Sequence, residues 1–277
     1  MPTKVTTEIQ IARLLTNTPL QVRLTLLQTS SHQATHVSAA HLENFYTTFD
    51  DIRDRCFDGM IITGAPVETI PFEDVDYWKE LCEVFEYTKT HVWSTLHVCW
   101  GAQAGLYYHW GIRKQLLREK LSGVYTHRVL RPANPLVRGF DEVFLAPHSR
   151  HTEVDRNDVE KQPALRVLAE GEESGLYLLS TENGRQIFVT GHPEYDRLTL
   201  DSEYRRDQSK GMAVPVPYHY YPNDNIANEP VFNWKSHAHL LYRNWLNYYV
   251  YQNTPYDLSH RMTEDTFSEP GQTVPQK

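Results

Sequence analysis

The stretch Val92-Trp-Ser-Thr-Leu-His-Val98 reads as a strand and runs directly into Cys99-Trp-Gly-Ala-Gln-Ala-Gly105, a helix start crowded with small residues. That junction belongs to an alternation. Thr7 to Leu15 reads as a short helix, and Gln21 to Leu27 alternates Val22, Leu24 and Leu26 as a strand does. Ser38 is placed to cap a helix whose apolar residues Leu42, Phe45, Phe49 and Ile52 recur at helical spacing. Asp58-Gly-Met-Ile-Ile-Thr-Gly-Ala-Pro66 is a short buried strand ending in a Gly-rich turn, and a helix follows near Val75 to Thr90. Strands alternating with helices predict an α/β fold with a mostly parallel sheet covered on both faces. In such sheets function collects beyond the carboxyl ends of the strands. The Gly64 turn, Cys99, the Pro147-His-Ser-Arg150 turn and Gly191-His192 all follow strand-like runs. They are therefore expected on one sheet edge, as parts of one site.

A length of 277 residues fits one large α/β domain or two small ones, and no interdomain linker is visible. We read residues 1–261 as a single domain and the polar, aperiodic stretch from Met262 to Lys277 as a disordered tail. No apolar run approaches the ~20 residues of a membrane span, and the N-terminus lacks the apolar segment of a signal peptide. A cytoplasmic protein without a membrane partner is expected. The net charge of −8 argues against nucleic acid, which needs a basic face, but not against an anionic coenzyme held by a few local cations. The three cysteines, at wide spacing, make neither a disulfide framework nor a zinc site, so no metal is expected. Cys56 and Cys82 lie in helix-like segments and are expected to be buried small hydrophobes.

Cys99 is different. A nucleophile on a sharp strand-to-helix turn points out of the sheet, and small neighbours let the helix pack closely beneath it. The helix N-terminus stabilises a thiolate, and its N–H groups, with those of the Gly64-Ala65 turn, could form an oxyanion hole. Local context alone leaves a buried structural cysteine open. Arg185-Gln-Ile-Phe-Val-Thr-Gly-His-Pro-Glu-Tyr195 narrows the choice, because a strand there ends in His192 and, two residues on, Glu194. A catalytic thiol needs a base, and the base needs an orienting carboxylate. With 14 histidines in the chain, any one alone is weak evidence; His192 is distinguished by the strand before it and the carboxylate beside it. In Phe144-Leu-Ala-Pro-His-Ser-Arg150 a strand ends in a polar cluster. Ser149 and Arg150 either bind a substrate carboxylate or amine or form an ordinary capped turn.

Taken together, the motifs resemble the MetA family of homoserine O-acyltransferases. The matching residues include Met1-Pro, Asn17-Thr-Pro-Leu-Gln-Val22, Ile62-Thr-Gly-Ala-Pro-Val-Glu68, Cys99-Trp-Gly-Ala-Gln-Ala104, Lys120-Leu-Ser-Gly-Val124, Arg138-Gly-Phe-Asp141, Pro147-His-Ser-Arg150, Thr190-Gly-His-Pro-Glu-Tyr-Asp196, Glu203 with Arg206-Asp207, and Asn244-Trp-Leu-Asn-Tyr-Tyr-Val-Tyr-Gln252. The resemblance runs from Met1 to about Asp257. It implies a flavodoxin-like, three-layer fold of the class I glutamine amidotransferase type, and an acyl-enzyme mechanism. Cys99 would take the acyl group from acyl-CoA as a thioester, and His192, supported by Glu194, would deprotonate the acceptor hydroxyl in ping-pong fashion. In the family the residues matching Lys120, Ser149 and Arg206 bind substrate, and Arg206 suits an amino-acid carboxylate. The family is commonly dimeric, which implies a homodimer.

Glu68 bears on the acyl donor. At this position the family's acetyl users resemble this chain, whereas succinyl users carry Gly. A carboxylate there would repel the free carboxylate of succinate, so acetyl-CoA is the expected co-substrate, with no bound cofactor. Two departures stand out. The chain begins at Met-Pro, where family members usually carry a preceding segment with a sheet strand, so either the start lies upstream or the sheet is left with an edge or gap. Also, Thr3-Lys4 replaces a lysine pair, and Trp-Arg-Ser-His has become Trp234-Lys-Ser-His237. L-Serine, one methylene shorter than homoserine, is an alternative acceptor, since a methylene is worth only ~1–3 kcal/mol of discrimination. A glutamine amidotransferase-like hydrolase and a non-catalytic binding protein are more remote alternatives. Trp245 to Tyr251 reads as a core or dimer-contact helix.

Overall fold

In the computed structural model, residues 4–31 and 39–255 are described. The Met1-Pro motif, Ser38 and the stretch from Met262 onward lie outside them. The elements run α1 (Lys4–Leu15), β1 (Leu26–Leu27), α2 (Ala39–Phe45), β2 (Tyr46–Thr47), β3 (Phe57–Ile62), α3 (Trp78–His91), β4 (Val92–Val98), α4 (Trp100–Trp110), β5 (Lys114–Val129), β6 (Val143–Val154), α5 (Arg156–Glu160), β7 (Leu165–Gly171), β8 (Gly175–Thr181), β9 (Gln186–Val189), α6 (Thr199–Ser209) and α7 (Lys235–Asn244). A π-helical stretch, Trp245–Tyr251, continues α7.

Seven strands form the main sheet in the order β3-β4-β9-β8-β7-β5-β6. The fold is α/β. The parallel character expected from the alternation resides in β3, β4 and β9, the strands that lead into Gly64, Cys99 and His192. Beyond β9 the sheet continues antiparallel through β8, β7, β5 and β6. Register aligns the ends: Ile62 pairs with His97, and Val98 with Val189. Three connections therefore leave the sheet side by side at one edge.

The central strands are buried on both faces, as helix-covered strands must be. Leu96 and Val98 of β4 join Ile187 and Val189 of β9 in a core with Leu14 of α1, Leu241 and Tyr242 of α7, and Trp245. The alternate residues point the other way: the His97 ring stacks on Phe188 at 4.7 Å, and Phe188 packs against Ala102 and Leu106 of α4. Period-two alternation thus produces two helix layers around one sheet. The strand β3 forms one edge of the sheet and is only half-buried. A broad cleft beside it is lined by Leu20, Leu24, Met60 and Glu68, and extends to Lys120 and Arg206. Among the described helices, none is long and apolar enough to cross a membrane.

Several local expectations are corrected. Of the strand expected over Gln21 to Leu27, only Leu26–Leu27 pairs, with Tyr46–Thr47. The helix through Ile52 breaks after Phe45, because Tyr46 and Thr47 extend to make that pairing. Pro147 to Arg150 is not a turn but the middle of β6, whose pairing with β5 runs straight through the polar residues. Cys56 is exposed in the connection before β3, and Cys82 is only half-buried on α3. Trp245, Leu246, Tyr249 and Val250 are core residues, as expected.

Candidate active site

Cys99 is the hinge between β4 and α4. It is 1% exposed and has φ 52° and ψ −118°, a backbone conformation that non-glycine residues avoid. Strain of this kind costs on the order of 1–3 kcal/mol and persists where its surroundings over-determine it. Here the Cys99 N–H donates to Val189 O at 2.7 Å, tying the elbow to β9. Its carbonyl accepts from Ala102 and Gln103, which starts the helix at once. The small residues after it are needed for packing. A Cβ on Gly101 would stand 2.5 Å from Ile62 O and 2.7 Å from Thr63 O, so α4 rests directly on the backbone at the end of β3. The turn holding Gly64 and Ala65 therefore adjoins the elbow, beside the open amides of the helix N-terminus.

His192 leaves β9 in a tight turn. Its N–H donates to Pro147 O of β6 at 2.8 Å, and its own carbonyl accepts from the Tyr195 N–H. The ring is 1% exposed and stacks on Tyr195 with centroids 4.1 Å apart. Its Nδ1 lies 2.7 Å from Glu194 Oε1. A carboxylate can only accept there, so Nδ1 carries the hydrogen and Nε2 is the nitrogen left for chemistry. Nε2 is buried and makes no hydrogen bond of full geometry to the protein. Burial pulls the proton affinity of His192 down, but the charges of Cys99 and Glu194 outweigh it and hold the imidazole well above its ordinary value. Glu194 is fixed in turn: Arg13 of α1 donates to its carbonyl at 2.8 Å and pairs with Asp196 at 3.1 Å. Tyr195 is anchored through its hydroxyl to Glu203 and through its carbonyl to the Trp234 indole.

Glu68 sits in the turn after β3. Its Oε2 accepts from the His151 N–H of β6 at 2.6 Å, and its Oε1 stands 4.0 Å from Cys99 Sγ. Lys120 and Arg206 meet at a third carboxylate, Asp207. Lys120 Nζ donates to Oδ2 at 2.8 Å, and Arg206 Nε and Nη2 donate to Oδ1 at 2.8 and 2.6 Å. Burial works against the ionised Asp207, but these donors hold its carboxyl below the ordinary value. Ser149 lines the same cleft as Lys120, Arg206 and Glu203. Its neighbour Arg150 does not. On β6 the two point to opposite faces, and Arg150, 2% exposed, donates to Thr152 O and Ser174 O.

Of the candidate site residues singled out in the sequence, seven gather at one end of the sheet, Cys99, His192 and Glu194 within the protein and Glu68, Lys120, Ser149 and Arg206 along the cleft, and Arg150 is the exception. Sequence reasoning missed Asp207 as the shared counter-ion, the His151 amide that holds Glu68, and Arg13 behind Glu194. The first was visible as an acidic neighbour of Arg206; the other two depend on tertiary contact and left no local signal.

An elbow thiol on a helix N-terminus, beside an imidazole oriented by a carboxylate, defines a class of α/β enzymes able to hold an acyl group covalently. Glutamine amidotransferases from Thermotoga maritima and Methylobacillus flagellatus share the fold, at 13% and 11% identity. Their TM-scores are 0.51 and 0.52, covering 74% and 82% of this chain and 87% and 95% of theirs. The chain itself belongs to the homoserine O-succinyltransferase family, whose model matches residues 1–256, and it is an acyltransferase. Relatives named homoserine O-acetyltransferase include those of Agathobacter rectalis, 58% identical over 257 residues, and Clostridium novyi, 57% identical over 257 residues. Each alignment covers 93% of this chain, with 83% and 85% of the respective relative.

Proposed function

We propose that the chain transfers acetyl from acetyl-CoA to the hydroxyl of L-homoserine through a thioester on Cys99. The observation that carries this reading is the Glu68 carboxylate 4.0 Å from Sγ. The family's own name points to succinyl, whereas the relatives at 57–58% identity are named for acetyl. Electrostatics favours the second. A succinyl carboxylate at ~5 Å from Glu68, with an effective dielectric of ~20, would be repelled by about 3 kcal/mol, or on the order of 10²-fold in rate. Acetyl carries no such charge.

The steps balance as follows. The Cys99 thiolate attacks the carbonyl carbon of acetyl-CoA, and the coenzyme A sulfur leaves as the C–S bond breaks, taking a proton from His192. The homoserine hydroxyl then gives its proton to His192 Nε2 as its oxygen attacks the Cys99 thioester. O-Acetylhomoserine departs and the Cys99 thiolate is restored. Glu194 keeps Nδ1 protonated through both steps. The amides at the start of α4 stabilise the tetrahedral oxyanion in this reading. Lys120 and Arg206 supply the positive wall for the acceptor's carboxylate, with Ser149 beside them. The product suits methionine biosynthesis.

Coenzyme A release tests this directly, measured with homoserine and with serine, and with acetyl- and succinyl-CoA. Release with acetyl-CoA and homoserine, together with a +acetyl adduct on Cys99 after brief exposure to acetyl-CoA, is the expected result. Preference for succinyl-CoA or for serine, or a Cys99→Ala variant with full activity, would refute it.

A further inference from the structure

Lys114 opens β5, the next strand in chain order after the nucleophile, and no step above uses it. Its ammonium donates to two backbone carbonyls of one turn, Glu68 O and Ile70 O, each at 2.6 Å. It also sits 4.3 Å above the Phe72 ring centroid. Phe72 is buried and stacks on Tyr107 of α4 and Trp78 of α3, and it lies 5.8 Å from Trp100, the residue after Cys99. We infer that Lys114 is a positioning residue for acyl-donor selection: it fixes the turn that holds Glu68 at the nucleophile. The inference rests on the proposed role of Glu68.

The physical case is one of over-determination. A turn that projects a carboxylate toward the buried thiolate of the proposed mechanism is electrostatically unfavourable, and the His151 amide restrains only the end of that side chain. The backbone needs its own restraint. A lysine ammonium has three donors and no acceptor, so it can bind two carbonyls of one turn while its remaining face lies against an aromatic ring. Burial pulls Lys114 down to about 8, while Glu68 and Glu73 act to raise it. A solvated surface lysine would not be so placed. Because Phe72 packs on α4 near the elbow, Lys114 couples the Glu68 turn to the element that carries Cys99.

The test compares kcat/KM for acetyl-CoA and succinyl-CoA in the wild type, Lys114→Met, Lys114→Arg and Glu68→Gly, at saturating homoserine. In Lys114→Met the acetyl-to-succinyl preference should fall tenfold or more, with the KM for homoserine within twofold of wild type. Lys114→Arg, which keeps donors for both carbonyls, should recover most of the preference. A preference within threefold of wild type in Lys114→Met, or equal losses with both donors, overturns the inference, because a merely structural lysine would slow both alike. Should Lys114→Met not fold, Lys114→Gln, shorter and without the charge, takes its place under the same criteria. Wild-type enzyme without acetyl preference, or Glu68→Gly that keeps it, refutes the role of Glu68 instead. Normal behaviour of those two with an unchanged Lys114 variant refutes Lys114 alone.

Discussion

Gly101→Ala is a single methyl group placed where the fold has no room for it. The new Cβ would meet Ile62 O at 2.5 Å and Thr63 O at 2.7 Å, both backbone atoms at the end of β3. Ordinary heavy-atom contact lies near ~3.5 Å, so α4 and β3 must separate by up to about 1 Å. No side chain can rotate away to relieve this. Overpacking of a close-packed core costs ~1–3 kcal/mol, which for a chain of this size lowers Tm by roughly 2–12 °C. The larger effect falls on activity. The displaced helix start carries Cys99, and an error of ~1 Å in a reacting group costs on the order of 10² in rate. The expected result is a folded enzyme with kcat/KM reduced about 100-fold, measured by coenzyme A release, and a modestly lowered melting temperature by circular dichroism. Gly111→Ala is the control. At the other end of α4, Gly111 has φ +67° and nothing within 4 Å, so alanine there costs ~1–2 kcal/mol of backbone strain without moving Cys99. Wild-type activity in Gly101→Ala, or a Gly111→Ala variant equally inactive, would refute the proposed contact between α4 and β3 as the device that places the thiol.

Asp207→Asn leaves Lys120 and Arg206 without their shared counter-ion; breaking such a buried pair costs ~3–5 kcal/mol, so Tm should fall and the KM for homoserine should rise at least tenfold, and unchanged values would argue against Asp207 as their organiser. His192 is held well above its ordinary value, so the stabilisation from its ion pairing is full below ~6.5 and is lost as pH rises through the raised value. Accordingly, iodoacetamide labelling of Cys99 should stay fast as pH falls from 8 to 6, whereas in His192→Gln it should fall steeply; parallel profiles would contradict the pairing. Burial lowers His97 and His127 to about 3 and His109 to about 4, so these groups are neutral when folded and take up protons on unfolding. Stability should therefore be full above ~6.5 and decline as pH falls toward these values, by up to ~1.4 kcal/mol per pH unit for each additional proton bound; a flat stability profile between pH 6 and 4 would refute this.

The residues that could be read in advance share one property: their chemistry is written in local order. A strand running into Cys99 with small residues behind it, and a strand running into His192 with Glu194 two positions on, each follow from backbone periodicity and adjacent side chains. The errors lie where tertiary pairing overrides local pattern. Pro147 to Arg150 looks like a turn because Pro, Ser and Arg commonly end strands, yet β6 continues because β5 pairs with it along nearly its whole length. Phe45, Phe49 and Ile52 keep helical spacing, but Tyr46 and Thr47 are taken by a strand pairing with residues some 20 positions earlier. The antiparallel half of the sheet was not visible either, since nothing in a single strand's sequence states its neighbour's direction.

That mixed topology bears on how the site divides its work. The parallel strands β3, β4 and β9 end together, so they bring the turn of Glu68, the thiol and the imidazole to one line. Such an edge suffices for a nucleophile and its base, but it offers few positions facing across the cleft. The antiparallel strands β5 and β6 are long enough to pass the ends of the others, and they supply Lys114, Lys120, Ser149 and the His151 amide. The proposed acyl-enzyme chemistry therefore rests on the strands that define the fold class, while the proposed choice of donor and acceptor rests on the strands that extend it. Changes confined to β5 and β6 are accordingly the ones expected to alter which acyl group and which hydroxyl are accepted without abolishing the thiol's reactivity.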